Sequence, residues 1–171
     1  MRFILYYRII EYAAFHFIDD KIRSELKKLL AAPDLATQLS QTVDSIVSTV
    51  TIAKLEDVQR FNMLITQTVN PRLLWKEVEK NIGVLSKSTS FDGGFVIDAL
   101  VTTSDNEATF CGNGLIKFCH AVRKLRNTLS HGKDQETAGV ITPTTRNFHL
   151  LAPWVHLIAT AAGEVILFKE I

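Results

Sequence analysis

The chain is poor in the residues that interrupt or cross-link a fold. Four prolines and eight glycines among 171 residues leave few places to turn, which argues against a many-turned sandwich and for long helices. The two cysteines, Cys111 and Cys119, form no CxxC pair, so reduced, partly buried thiols are expected, with a disulfide as the alternative. Cys119-His120 offers too few ligands for structural zinc, and no metal or cofactor is expected. A formal net charge of +1 exerts no general pull toward nucleic acid or membrane, so any such site must arise from local clustering. Walker loops, GxSxG, HExxH and dinucleotide fingerprints are missing from the sequence, which removes the enzyme classes built on them.

What is present is apolar. Residues of the AVILMFWYC set make up 47% of the chain, enough for one domain spanning 1–171 with its own core. The first eighteen residues raise the question of a signal or anchor. Arg8 and Glu11 interrupt them and no small-residue cleavage site follows, so a buried amphipathic helix in a cytoplasmic protein is expected, with no membrane partner. Arg8 and Glu11, at i and i+3, are expected to pair with one another; an approach of Glu11 to a site elsewhere is the alternative.

Helical spacing runs along most of the chain, and an all-α bundle of about five or six helices is expected. Phe3 to Phe17 forms the first. Asp19-Asp20 can cap a second through Ile22, Leu26, Leu29 and Leu30, and Pro33-Asp34 breaks the pattern. Residues 35–69 are helical, as one broken helix or two. Asn70-Pro71 has the form of an N-cap followed by a first-turn proline, starting a helix to about Leu85. Residues 86–109, with Asp92-Gly93-Gly94 and the run Phe95-Val96-Ile97, read as a short hairpin or an irregular loop. A helix from Leu115 to about Ser130 follows, ended by Gly132. A polar connector then leads to a last helix from about Pro153 to Lys169.

The helix from Leu115 carries the most information. On a wheel, Leu115, Phe118, Val122, Leu125 and Leu129 share one sector, and Arg126 sits at its edge. Between Ala108 and Lys133 there is no acidic residue, while Lys117, Arg123, Lys124, Arg126 and Lys133 are all present. That is a local basic patch of the kind a phosphate backbone meets. Lys117, His120, Arg123, Lys124 and Lys133 are therefore the candidate RNA-binding residues. Tyr6, Tyr7 and Tyr12 can stack on bases, although core packing is the commoner use of such residues; His149 and His156 are expected to be packing or surface residues.

Arg126, Asn127 and His131, near the end of this helix, resemble the Arg-x4–6-His motif of HEPN superfamily ribonucleases. The following Gly132-Lys133, the connector and an apolar last helix resemble that superfamily's abortive-infection C-terminal branch. The likeness covers roughly Leu115 to Ile171, within a motif region of about 110–171. It implies a metal-independent endoribonuclease acting through the substrate's 2′-hydroxyl, in phage defence or as a toxin, or a non-catalytic module binding RNA, nucleotide or protein. His131 would be the acid/base, Arg126 the clamp on the developing charge, and Asn127 an orienting group. Residues five apart on a straight helix point about 140° from one another. Either the helix ends before His131 or a second protomer completes the site, and the resemblance implies a homodimer. RNA and an antitoxin or larger defence partner are the other expected partners.

Overall fold

The computed structural model describes residues 2–33, 39–131 and 139–169. Among them are seven helices and one small hairpin: α1 (Arg2–Leu30), α2 (Leu39–Ala53), α3 (Asp57–Thr68), α4 (Pro71–Lys80), α5 (Ile82–Leu85), β1 (Thr89–Ser90), β2 (Val96–Ile97), α6 (Glu107–His131) and α7 (Thr145–Lys169). The all-α class expected from periodicity is what the chain adopts.

α1 is the organising element. It packs on α3, α7 and α6, while α4 joins α6 to α7. Phe3, Tyr7, Ile10, Ala14 and Ile18 bury one continuous stripe, and Ile22, Leu26 and Leu29 extend it half-buried. That continuity overrides Asp19-Asp20, where a second helix was expected. At 29 residues and a rise of about 1.5 Å each, α1 is long enough to pack on α2 as well.

Residues 39–68 resolve into two helices. α3 starts behind Glu56, whose side chain takes the Gln59 backbone while Gln59 reaches back to Glu56, a reciprocal cap. Asn70 caps α4 as expected, its Oδ1 accepting from the Arg72 N–H at 3.0 Å. The helix expected to reach Leu85 is divided at Asn81 into α4 and α5.

α6 begins eight residues before the expected start at Leu115. Asn106 and Thr109 cap it reciprocally: Thr109 N–H donates to Asn106 Oδ1 at 3.0 Å and Asn106 N–H to Thr109 Oγ1 at 2.8 Å. Gly112 and Gly114 therefore lie inside the helix. At Gly114 a Cβ would collide with the Phe110 ring, so this glycine makes room for an aromatic that packs on Trp75, with centroids 5.6 Å apart.

The hairpin pairs Thr89 with Ile97 and Ser90 with Val96, antiparallel. Gly93 and Gly94 turn it at φ +103° and +87°, conformations other residues rarely adopt. Phe91 and Phe95 plug it into the core. Part of the expected connector joins it, since Val140 N–H donates to the Gly93 carbonyl at 2.9 Å and Thr142 N–H to that of Asp92 at 3.0 Å. Asn147, 2% exposed, fastens this assembly. Its Oδ1 accepts from Asp92 N–H at 2.8 Å, and its Nδ2 donates to the carbonyls of Asp92 at 2.9 Å and Thr142 at 2.8 Å. Asp92 also binds Thr144 and Arg146, and those hydrogen bonds hold its carboxyl below the usual carboxylate range.

α7 begins at Thr145, not near Pro153, which it carries inside. Among the described residues it is the helix long and apolar enough to cross a membrane. Its apolar stripe of Trp154, Leu157, Ile158, Ala161, Ala162 and Val165 is buried in the bundle.

Candidate functional site

A cleft of about 720 Å³ lies between α1, α3 and α6. α1 lines it with Tyr7, Arg8, Glu11, Tyr12 and Phe15; α3 contributes Asp57, Arg60, Phe61 and Asn62; α6 contributes Cys119, Arg123, Arg126 and Asn127. The wheel explains the α6 wall. Leu115, Phe118, Val122 and Leu125 are buried as expected and Leu129 half-buried, and the neighbouring sector opens into the cleft.

Arg126 is held on three sides. Its guanidinium donates to Glu11 Oε1 at 3.2 Å and to Asn127 Oδ1 at 3.2 Å, and it stands 5.6 Å from the Tyr7 ring centre. The Arg126 and Glu11 side chains remain 29% and 43% exposed, so the ion pair contributes about 0–1 kcal/mol to stability. Its larger consequence is direction, because the guanidinium fork is fixed at the cleft wall. The expected Arg8–Glu11 pair does not form among the described residues; Glu11 reaches across to α6 instead.

Tyr7 stacks on Phe61 at 5.0 Å and 18°. Burial first, and then the Glu11 carboxylate, push its hydroxyl up to about 12. Burial likewise pushes the Cys119 thiol up to about 12, so Cys119 lines the cleft as an apolar group and not as a nucleophile. Arg60 donates from Nε to the Leu55 carbonyl at 3.0 Å, lies 3.9 Å from Asp19, and has its guanidinium 5.5 Å from the Phe15 ring centre.

The residues singled out on the basic helix separate. Arg123, Arg126 and Asn127 line the cleft. Lys117 and Lys124 do not, and Lys117 borders a smaller cavity of about 270 Å³ beside Asp105 and Asn113. His120 touches Arg123, 3.4 Å from its Nη2, but is not part of the cleft wall. α6 continues through His131, which removes the possibility that the helix ends before it. The His131 ring, Gly132 and Lys133 lie outside the described residues. His149 and His156 are exposed on α7. Tyr7 is buried, Tyr6 half-buried and Tyr12 exposed at 70%.

Arg8, Arg60, Phe15 and Asn62 were not among the candidates. Arg8, Tyr12 and Phe15 share one face of α1 at i, i+4 and i+7, a pattern visible in the sequence, although its neighbourhood to α6 was not. The four arginines face the carboxylates of Glu11 and Asp57, leaving the wall net basic. No group of three or more His, Cys, Asp or Glu suited to a metal occurs among the described residues. The cleft can therefore grip an anion through guanidinium groups beside exposed aromatic surface. Comparison with known protein families, curated proteins and solved structures finds no match for this chain.

Proposed function

We propose that the protein is a metal-independent endoribonuclease of HEPN type. The observation that carries this reading is the joint placement of Arg126 and Asn127 on the wall of an arginine-lined cleft, with His131 one turn further along the same helix. Arg126 would stabilise the charge that develops on the phosphorane. Asn127 would orient a phosphate oxygen. His131 would take the proton of the substrate's 2′-hydroxyl as that oxygen attacks phosphorus, and would return it to the 5′-oxygen as the P–O5′ bond breaks, leaving a 2′,3′-cyclic phosphate and a 5′-hydroxyl.

On one continuous helix Arg126 and His131 diverge by about 140°. A two-fold homodimer resolves this by placing His131 of one protomer near Arg126 of its partner across a shared cleft. The reading implies a cytoplasmic enzyme acting on RNA in phage defence or as a toxin, restrained by an antitoxin or a larger defence partner.

Purified protein should cut RNA in the presence of a chelator and leave cyclic phosphate ends. His131→Ala and Arg126→Ala should each lower the rate by 100-fold or more, and Arg126→Lys should not restore it, since an ammonium lacks the planar fork. Undiminished cleavage by His131→Ala would remove the assignment. The engagement of Arg126 by Glu11 at 3.2 Å favours a second reading, a non-catalytic module of the same type. It predicts salt-sensitive RNA binding without cleavage.

A further inference from the structure

The mouth of the cleft carries large aromatic surface that the proposed chemistry does not use. Tyr12 is 70% exposed and Phe15 52% exposed, one turn apart on α1, and both line the cleft. The His16 ring lies against both, with centroids 4.4 Å from Tyr12 at 59° and 5.4 Å from Phe15 at 89°, so the three rings form one stepped shelf whose faces point in different directions. The shelf is bordered by cations. Arg60 stands over Phe15, Arg8 is one turn from Tyr12 on the same helix, and Arg123 faces them from α6.

Neither Arg8 nor Arg123 has a carboxylate within salt-bridge distance among the described residues. Of the two acids that line the cleft, Glu11 binds Arg126 and Asp57, at the start of α3, pairs with neither Arg8 nor Arg123, so a bound anion can answer these two charges. Exposed aromatic surface beside guanidinium groups that have no ion-pair partner among the described residues is what an unstacked base and its flanking phosphates require. A duplex cannot use the shelf, because its bases already cover one another's faces.

We propose that Tyr12 and Phe15 form a base-stacking shelf, and Arg8 with Arg123 a phosphate clamp, that together bind single-stranded nucleic acid. This deepens the ribonuclease reading by naming how the substrate is presented and which residues outside the motif select it. Tyr12, Phe15, Arg8 and Arg123 are binding residues, and none takes part in bond making.

The test uses octathymidylate, which lacks the 2′-hydroxyl and so reports binding separately from cleavage, and an abasic octamer of equal charge. The intact octamer should bind roughly tenfold more tightly than the abasic one. Tyr12→Ala or Phe15→Ala should lose roughly that factor on octathymidylate and nothing on the abasic strand, and Tyr12→Trp should retain it. Arg8→Ala and Arg123→Ala should weaken both probes and reduce the salt dependence of binding. Tyr12 is mostly solvent-exposed, so its variants test binding without threatening the fold; unchanged circular dichroism checks this. Equal affinity for the two octamers overturns the shelf. So does a dimer that Tyr12→Ala dissociates in sedimentation, which would assign the rings to a second copy of the chain. Octathymidylate binding that depends on Tyr12, in a protein that never cuts RNA, sustains the shelf and removes the ribonuclease. RNA cleavage that ignores Tyr12→Ala does the reverse.

Discussion

Asn147 shows how much can rest on one side chain. It is buried and uses its acceptor and both donors on Asp92 and Thr142, so replacing it strands backbone groups as well as removing its own bonds. Asn147→Leu should cost roughly 3 kcal/mol, seen as a Tm lower by about 10 °C. Asn147→Asp keeps the acceptor for Asp92 N–H but turns a carboxylate oxygen toward two carbonyls. That raises its folded pKa above the unfolded value, so the damage is present at neutral pH and relieved as pH falls. A Tm difference from the parent that does not narrow in acid would contradict the assignment. At this scale the sequence was informative where one helix decides the answer. Arg126 could be placed at the edge of the apolar sector and Arg123 in the basic patch from spacing alone, while their sharing one cleft wall with Asn127 needed the structure. Glu11, 115 residues from Arg126, could be offered only as the alternative to an Arg8 pair, because no periodicity reports which helices become neighbours.

At the scale of elements, local signals misled where a longer pattern was stronger. Asp19-Asp20 has cap chemistry, yet the buried stripe of α1 passes through it and Asp19 turns to Arg60. Cys111-Gly112-Asn113-Gly114 has the composition of a loop, yet Asn106 and Thr109 had already capped the helix. The two glycines separate these explanations. A Cβ at Gly112 meets nothing within 4 Å, whereas one at Gly114 meets the Phe110 ring. Gly112→Ala should therefore stabilise the protein by about 0.5–1 kcal/mol through helix propensity. Gly114→Ala should destabilise it by roughly 1–3 kcal/mol, because Phe110 must leave its place against Trp75. Urea midpoints check both signs; a stabilising Gly114→Ala would mean that Phe110 shifts without loss. Pro153 has the form of a helix start for a similar reason, but Thr144 Oγ1 already accepts from Asn147 N–H at 3.2 Å, and the helix begins there.

At the scale of the whole molecule, the cleft is also the seam of the fold. Tyr7 and Cys119 sit where α1, α3 and α6 meet, 5% and 2% exposed, and neither can ionise without charge entering that seam. The Tyr7 hydroxyl is raised from 10.0 to about 12 and the Cys119 thiol from 9.0 to about 12. Both groups therefore keep their protons longer in the folded chain than in the unfolded one. Their contribution is fully present below pH 9 and is lost as pH rises toward 12, because the unfolded chain releases the protons first. Each group can add a slope of up to about 1.4 kcal/mol per pH unit. Cys119 should act from pH 9 and Tyr7 from pH 10. Urea midpoints measured from pH 8 to 11 should fall with this shape, and Tyr7→Phe should flatten the part above pH 10. Over the same range Cys119 should resist alkylation until urea unfolds the chain, while exposed Cys111 reacts in the native state. Alkylation of both thiols in the folded protein would mean that the α1–α6 seam opens without global unfolding. The cleft would then be a moving part of the molecule, and the fixed placement of Arg126 by α1 would fail with it.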